Sequence, residues 1–164
     1  MKKFTNTLIL LVLTSACALG QGFITTWEVT AGDLTIAIPT TGTGYNYSVD
    51  WGDGVIQTGF TGNASHTYAA AGTYTVHIQG SFPRIYFNFS NTGGDRNQIK
   101  TIEQWGNIAW TSMARAFAGC TLLTYNATDT PNLSGVTDIE YMLATAVNFN
   151  GAINNWDISN VTNL

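Results

Sequence analysis

One stretch of this chain recurs within itself. Val136-Thr137-Asp138-Ile139 returns 25 residues later as Val161-Thr162-Asn163-Leu164, preceded by Leu133-Ser134 in one place and Ile158-Ser159 in the other. Further back, Met113-x-x-x-Phe117-Ala118-x-Cys120-x-x-Leu123 maps onto Ile139-x-x-x-Leu143-Ala144-x-Ala146-x-x-Phe149 at an offset of 26. A unit of that size, a strand with a helical or irregular return, cannot bury its apolar face alone and must stack on its neighbours. In this register Trp105 aligns with Pro131 and Trp156, and Trp110 with Val136. The four-and-three spacing of Met113, Phe117 and Cys120 predicts the inward face of a short helix, with Leu123 and Phe149 opening the next extended stretches. Cys120 is then expected as a small buried residue, because Ala146 occupies the same rung.

Ahead of the repeats the pattern changes. Between Phe23 and Phe89, short β-prone runs are punctuated by Gly, Pro, Asn and Asp. The expected strands are Phe23–Trp27, Leu34–Ile38, Tyr45–Trp51, Val55–Thr58, Thr73–Gln79 and Arg84–Phe89. In Tyr45-x-Tyr47-x-Val49-x-Trp51 and Tyr74-x-Val76-x-Ile78, large residues alternate with small or polar ones, so each strand buries one face of an antiparallel sandwich. Asp53-Gly54 between two such runs predicts a tight primed hairpin turn.

These residues also carry a resemblance. Val49-Asp50-Trp51-Gly52-Asp53-Gly54, followed by His66-x-Tyr68 and Gly72-x-Tyr74-x-Val76, resembles the polycystic kidney disease (PKD) domain, although Val49 stands where that family usually has Trp and Trp51 where it has Phe. The resemblance implies an immunoglobulin-like β-sandwich used as a spacer or interaction module. Some modules of that family bind calcium, which would draw on Asp50 and Asp53. The residues alone favour turn-forming acids there, since calcium takes six to eight oxygens and only these two side chains are at hand. His66, beside aromatics, reads as a packed structural residue.

In the repeats, Ala116-Phe117-Ala118-Gly119-Cys120-Thr121-x-Leu123 resembles the core of BspA-like leucine-rich repeats, and Phe149–Asn163 is similar to the signature of related bacterial surface-protein repeats. The period fits the roughly 20–29 residues of a leucine-rich repeat. The family signature runs on past the point where this chain stops, at Leu164, so an N-terminal fragment of a longer protein is expected. The fold expected for the whole is mainly β: a PKD-like sandwich over 22–89, a linker over 90–98, and an incomplete leucine-rich-repeat-like solenoid with short helices over 99–164.

The first twenty residues address the chain outward. Lys2 and Lys3 precede the apolar run Leu8–Leu13, and Ala18-Leu19-Gly20 offers a small-x-small site, which predicts a signal peptide over 1–20 cleaved after Gly20. Thr14-Ser15-Ala16-Cys17 is the alternative, an imperfect lipobox that would make Cys17 the acylated first residue. The apolar run is too short for a transmembrane helix, which needs about 20 residues. With Cys17 removed or acylated, Cys120 has no partner for a disulfide. Loss of the leader takes two lysines and changes the formal net charge from −4 to −6. The four remaining bases, Arg84, Arg96, Lys100 and Arg115, form no run, so nothing directs the chain to nucleic acid.

Neither a nucleophile elbow, a phosphate loop nor a His-rich metal motif occurs, so no catalytic, cofactor or metal residue is expected. With the leader, the resemblance to bacterial surface-protein repeats implies an exported, non-catalytic surface protein whose repeats bind or adhere to an extracellular protein or glycan. Trp105, Trp110 and Trp156 are the candidate binding face, as a carbohydrate-stacking ladder, with core packing as the alternative for aligned aromatics. The second reading is the non-catalytic N-terminal portion of a secreted hydrolase.

Overall fold

A computed structural model describes residues 22–89 and 95–164. The expected signal peptide, its cleavage site, Cys17 and residues 90–94 of the expected linker lie outside them. Eight strands form among the described residues: β1 Phe23–Val29, β2 Thr35–Ile38, β3 Asn46–Asp50, β4 Ile56–Phe60, β5 Ala64–Thr67, β6 Gly72–Ser81, β7 Ile99–Gln104 and β8 Thr124–Tyr125. Six of them make one sheet in the order β4-β3-β6-β1-β7-β8, and β2 pairs with β5 in a second.

The alternation read from the sequence places side chains as expected. Tyr47 and Val49 on β3, and Val76 and Ile78 on β6, are buried, as are Phe23, Trp27 and Val29 on β1 and Ile36 and Ile38 on β2. This all-β arrangement is that of a PKD-like, immunoglobulin-like sandwich. The β3–β4 turn differs in detail from the primed turn expected at Asp53-Gly54. Trp51 N donates to Val55 O (3.0 Å) around a three-residue loop, and the positive φ falls on Gly52 (79°) and Gly54 (91°). A Cβ on Gly52 would lie 2.4 Å from Thr75 O.

Two expectations are corrected. Arg84–Phe89 is not a strand of the sandwich: Phe87 N donates to Ala116 O and Asn88 N to Arg115 O, both at 3.2 Å, so this stretch runs beside the C-terminal part. The short helices are also absent, since the described residues contain no helix. The reason lies in the amides of Met113–Cys120. Met113, Arg115, Phe117 and Gly119 donate to Asp138, Glu140, Met142 and Ala144 at 2.8–3.0 Å, while Ala116, Ala118 and Cys120 close i−3 turns. Half the amides are thereby taken by the neighbouring stretch, which no α-helical ladder permits. Positive φ at Arg115, Gly119, Tyr141 and Thr145 breaks both stretches at matching places.

Those bonds lay residue 113 beside 139, the 26-residue offset of the sequence, and Asp138 bridges Asn163 at 25. One step earlier the offset is shorter. Thr101 pairs with Thr124 and Ala109 with Asn132, both 23 apart, so Trp110 comes level with Leu133 and not with Val136.

The two halves share one core. β7 pairs antiparallel with β1 and parallel with β8, which carries the sandwich sheet into the C-terminal part. Phe23 of β1 stacks on Trp105 (5.5 Å between centroids) and meets Trp110 edge-on (5.2 Å). The described end of the expected linker is also tied down: Asp95 Oδ2 accepts from Ala37 N (2.7 Å), and Gln98 Nε2 donates to Thr35 O (3.1 Å).

Phe117→Ala, in this joint core, is expected to cost about 3–5 kcal/mol and to shift a single calorimetric transition; a separate, unshifted sandwich transition would contradict the shared core. Gly54→Ala, with open space around it, is expected to cost only the left-handed penalty of about 1–2 kcal/mol. Gly52→Ala adds the collision with Thr75 and should cost more in urea denaturation, so equal losses would refute that close approach.

Candidate functional site

The PKD-like motif residues come together at one end of the sandwich. The three-residue loop after β3 turns Asp53 toward β5, where His66 sits. His66 Nε2 and Asp53 Oδ2 are 2.8 Å apart. The imidazole stacks on Trp51 (5.0 Å, 15°) and meets Tyr68 edge-on (4.6 Å); Tyr68 in turn stacks on Tyr74 (3.8 Å). Tyr68 also donates its hydroxyl to Trp51 O (2.9 Å), and burial raises its pKa. Trp51, at the position where the family usually has Phe, uses its indole N–H on Gln57 Oε1 (2.8 Å).

Among the described residues His66 hydrogen-bonds to Asp53 and to no hydroxyl or thiol. His66 is clamped between rings, and Asp53 Oδ1 accepts from Val55 N (3.1 Å). Asp50 Oδ1 accepts from Gly52 N (3.0 Å). Both acids considered for calcium therefore serve turn amides. Among the described residues no group of three or more His, Cys, Asp or Glu side chains could hold a metal ion. Cys120 is fully buried, and that burial pushes its thiol well up, away from the reactive thiolate.

The three tryptophans take different places. Trp105 and Trp110 are 0% and 1% exposed and stand in the joint core, so neither offers a ring face to solvent. Trp156 is partly exposed and packs edge-on against Trp105 (5.3 Å, 88°). Trp105 gives its indole N–H to Tyr125 Oη (3.0 Å).

Over this aromatic cluster lies a groove of about 290 Å³, lined by Tyr125, Thr128, Asp129, Thr130, Asn150 and Asn155 among others. The sequence reading did not single these residues out. The 25-residue offset was the available signal, since it sets Asn150 against Tyr125 and Asn155 against Thr130. A larger cleft of about 580 Å³ lies where the sandwich meets the C-terminal part, lined by Gly22, Gln79, Ser81, Phe82 and Asn107 among others. Neither is lined by a pair of carboxylates or by a histidine. No helix among the described residues is long and apolar enough to cross a membrane.

Burial works to raise the Asp53 pKa, but the hydrogen bonds from His66 and Val55 N outweigh it and leave it below the ordinary 3.8. A depressed folded-state pKa supplies stability that is present above the unfolded value and lost as pH falls through the folded one. Asp53→Asn is therefore expected to flatten the acid limb of the stability curve below about pH 4, measured by urea denaturation across pH. An unchanged acid limb would show that the pair contributes nothing.

Comparison with known families agrees with the first resemblance and alters the second. Residues 14–83 match the family model described as the PKD domain. Residues 86–164 match the one described as Mycoplasma protein of unknown function, DUF285, and no leucine-rich-repeat or BspA family model is matched. No curated protein and no solved structure matches the chain. The chain is thus similar to a PKD domain in its N-terminal part and to DUF285 in its C-terminal part.

Proposed function

We propose that this chain is an exported, non-catalytic binding protein of the cell surface, whose C-terminal repeats present the contact face and whose sandwich holds that face outward. The observation that carries the proposal is the surface made by residues stacked at the 23–26 offset. Asn126 Nδ2 donates to Glu103 Oε1, Asn160 Nδ2 to Ser134 O, and Asn163 Nδ2 to Asp138 Oδ1, at 2.9–3.1 Å. Each bond crosses from one stretch to the next, so amides stand in fixed rows at the surface. Amides held rigid in this way favour recognition, because ordering them on binding costs little further entropy.

Three further points support it. The sandwich belongs to a class commonly found outside cells and without catalytic activity, as the resemblance implies. The first twenty residues have the pattern of a secretory leader. The His66–Asp53 pair and the one described cysteine are both built into packing. The secreted-hydrolase reading draws no comparable support from the described residues.

The test has two arms. The full chain expressed in a bacterial host is expected to be exported and to begin at Gln21 by mass spectrometry; an acylated Cys17 would instead establish the lipoprotein form. The processed protein, screened by biolayer interferometry against immobilised extracellular-matrix proteins and glycans, is expected to show saturable binding to at least one. A cytosolic, unprocessed chain, or no binding to any member of either panel, would overturn the proposal.

A further inference from the structure

The groove over Tyr125 has a chemistry narrower than "protein or glycan". Its floor is a fixed aromatic ring. Tyr125 donates its hydroxyl to Asp129 O (3.2 Å), accepts from Trp105 Nε1 (3.0 Å), and packs edge-on against Phe149 (5.3 Å, 69°). Gly151 lets the groove close on that ring: a Cβ there would lie 2.6 Å from Tyr125 Cγ and 2.8 Å from Phe149 Cζ. A side chain at this position would lift the Asn150–Asn155 stretch away from Thr128–Thr130, and with it one wall.

The walls are neutral and hydrogen-bonding. Thr128, Thr130, Asn150 and Asn155 are all exposed. Among the described residues, Thr128, Thr130 and Asn150 direct no side-chain hydrogen bond to the rest of the chain, while Asn155 Oδ1 accepts from Asn154 Nδ2 (3.2 Å). The only charged group in the lining is Asp129, whose oxygens accept from Trp105 N (3.0 Å) and Gly106 N (2.8 Å). Each oxygen keeps acceptor capacity for a ligand hydroxyl. With a carboxylate and no Lys, Arg or His in the lining, an anionic ligand is repelled. Hydroxyls and amides offer donors and acceptors together, the need of a polyol. The volume, about 290 Å³ and just under the roughly 300–1,000 Å³ of pockets for drug-sized ligands, suits a single ring of a longer chain.

We propose that this groove is a subsite for a neutral sugar unit of an extracellular glycan, gripped between residues of two successive repeat stretches. The assignment rests on the surface-binding proposal above and names its ligand class and its contact residues.

The test uses the processed full chain on a glycan array carrying mannose-, galactose-, glucose- and N-acetylglucosamine-terminated chains alongside sialylated and sulfated ones, followed by calorimetric titration of the best neutral ligand. Neutral glycans are expected to bind and anionic ones not. The double variant Thr130→Ala/Asn155→Ala, at exposed positions, should lose about tenfold or more in affinity with an unchanged Tm, while Thr73→Ala on the sandwich sheet should bind as the parent does. Should the double variant prove less stable, Asn150→Ala alone serves the same comparison. Binding confined to anionic glycans, or undiminished in these variants, would overturn the subsite. Matrix-protein binding with no glycan binding would sink the subsite alone, whereas no binding to either panel would sink the broader proposal as well.

Discussion

Strand β1 is the constraint on which the rest of the molecule depends. Its one edge pairs with β6 over seven residues and closes the sandwich; its other edge pairs with β7 and starts the C-terminal part. Its inward face sets Phe23 among Trp105, Trp110 and Phe117, and Trp27 against Phe87. Burying side chains of this size contributes about 1.5–3 kcal/mol each. One strand thus forces two sequence modules into a single core, with the polar β7 residues Lys100, Thr101 and Glu103 on the sheet's other face. Thr26 and Thr101 exchange a 2.6 Å hydroxyl contact there, and Lys100 pairs with Glu28 at 2.9 Å.

That junction explains why the C-terminal stretches lie side by side without helices. Once Phe87 and Asn88 bond to Ala116 and Arg115, the Met113–Cys120 stretch has a neighbour on each side. Backbone amides satisfied across stretches are lost to any helix, and a buried amide left without a partner costs more than a helix would return. The left-handed residues Arg115, Tyr141 and Thr145 carry the strain that follows, at places where glycine is ordinarily preferred. Tyr141 lies over the Arg115 guanidinium at 5.6 Å, and Arg115 reaches Glu140 at 3.7 Å, so side-chain contacts hold two of these turns in place.

The same geometry takes two of the three aligned tryptophans away from the surface. A ladder of aromatic residues at repeat spacing answers equally to a core and to a stacking platform. Here Trp105 and Trp110 are drawn inward by Phe23, and their place at the surface is taken by Thr, Asn and one carboxylate around Tyr125. The aromatic cluster acts indirectly, by fixing Tyr125 and the backbone beneath the groove.

Much of this was legible in the sequence. Period-two alternation set which residues of β3 and β6 face inward, because successive side chains of a strand point to opposite faces. The 25- and 26-residue offsets set the pairing of 113 with 139 and of 138 with 163, because stretches that stack bring equivalent residues level; the 23-residue step before them had no such signal. The Asp53, His66 and Tyr68 motif likewise placed a packed histidine. Tertiary structure alone decided three things: that β7 extends the sandwich sheet, that Arg84–Phe89 leaves it, and that Met113–Cys120 turns without coiling. Each depends on where a distant amide finds its partner. A four-and-three apolar spacing suits any stretch with one buried face, and only the neighbouring carbonyls of Asp138, Glu140, Met142 and Ala144 determine which backbone serves it.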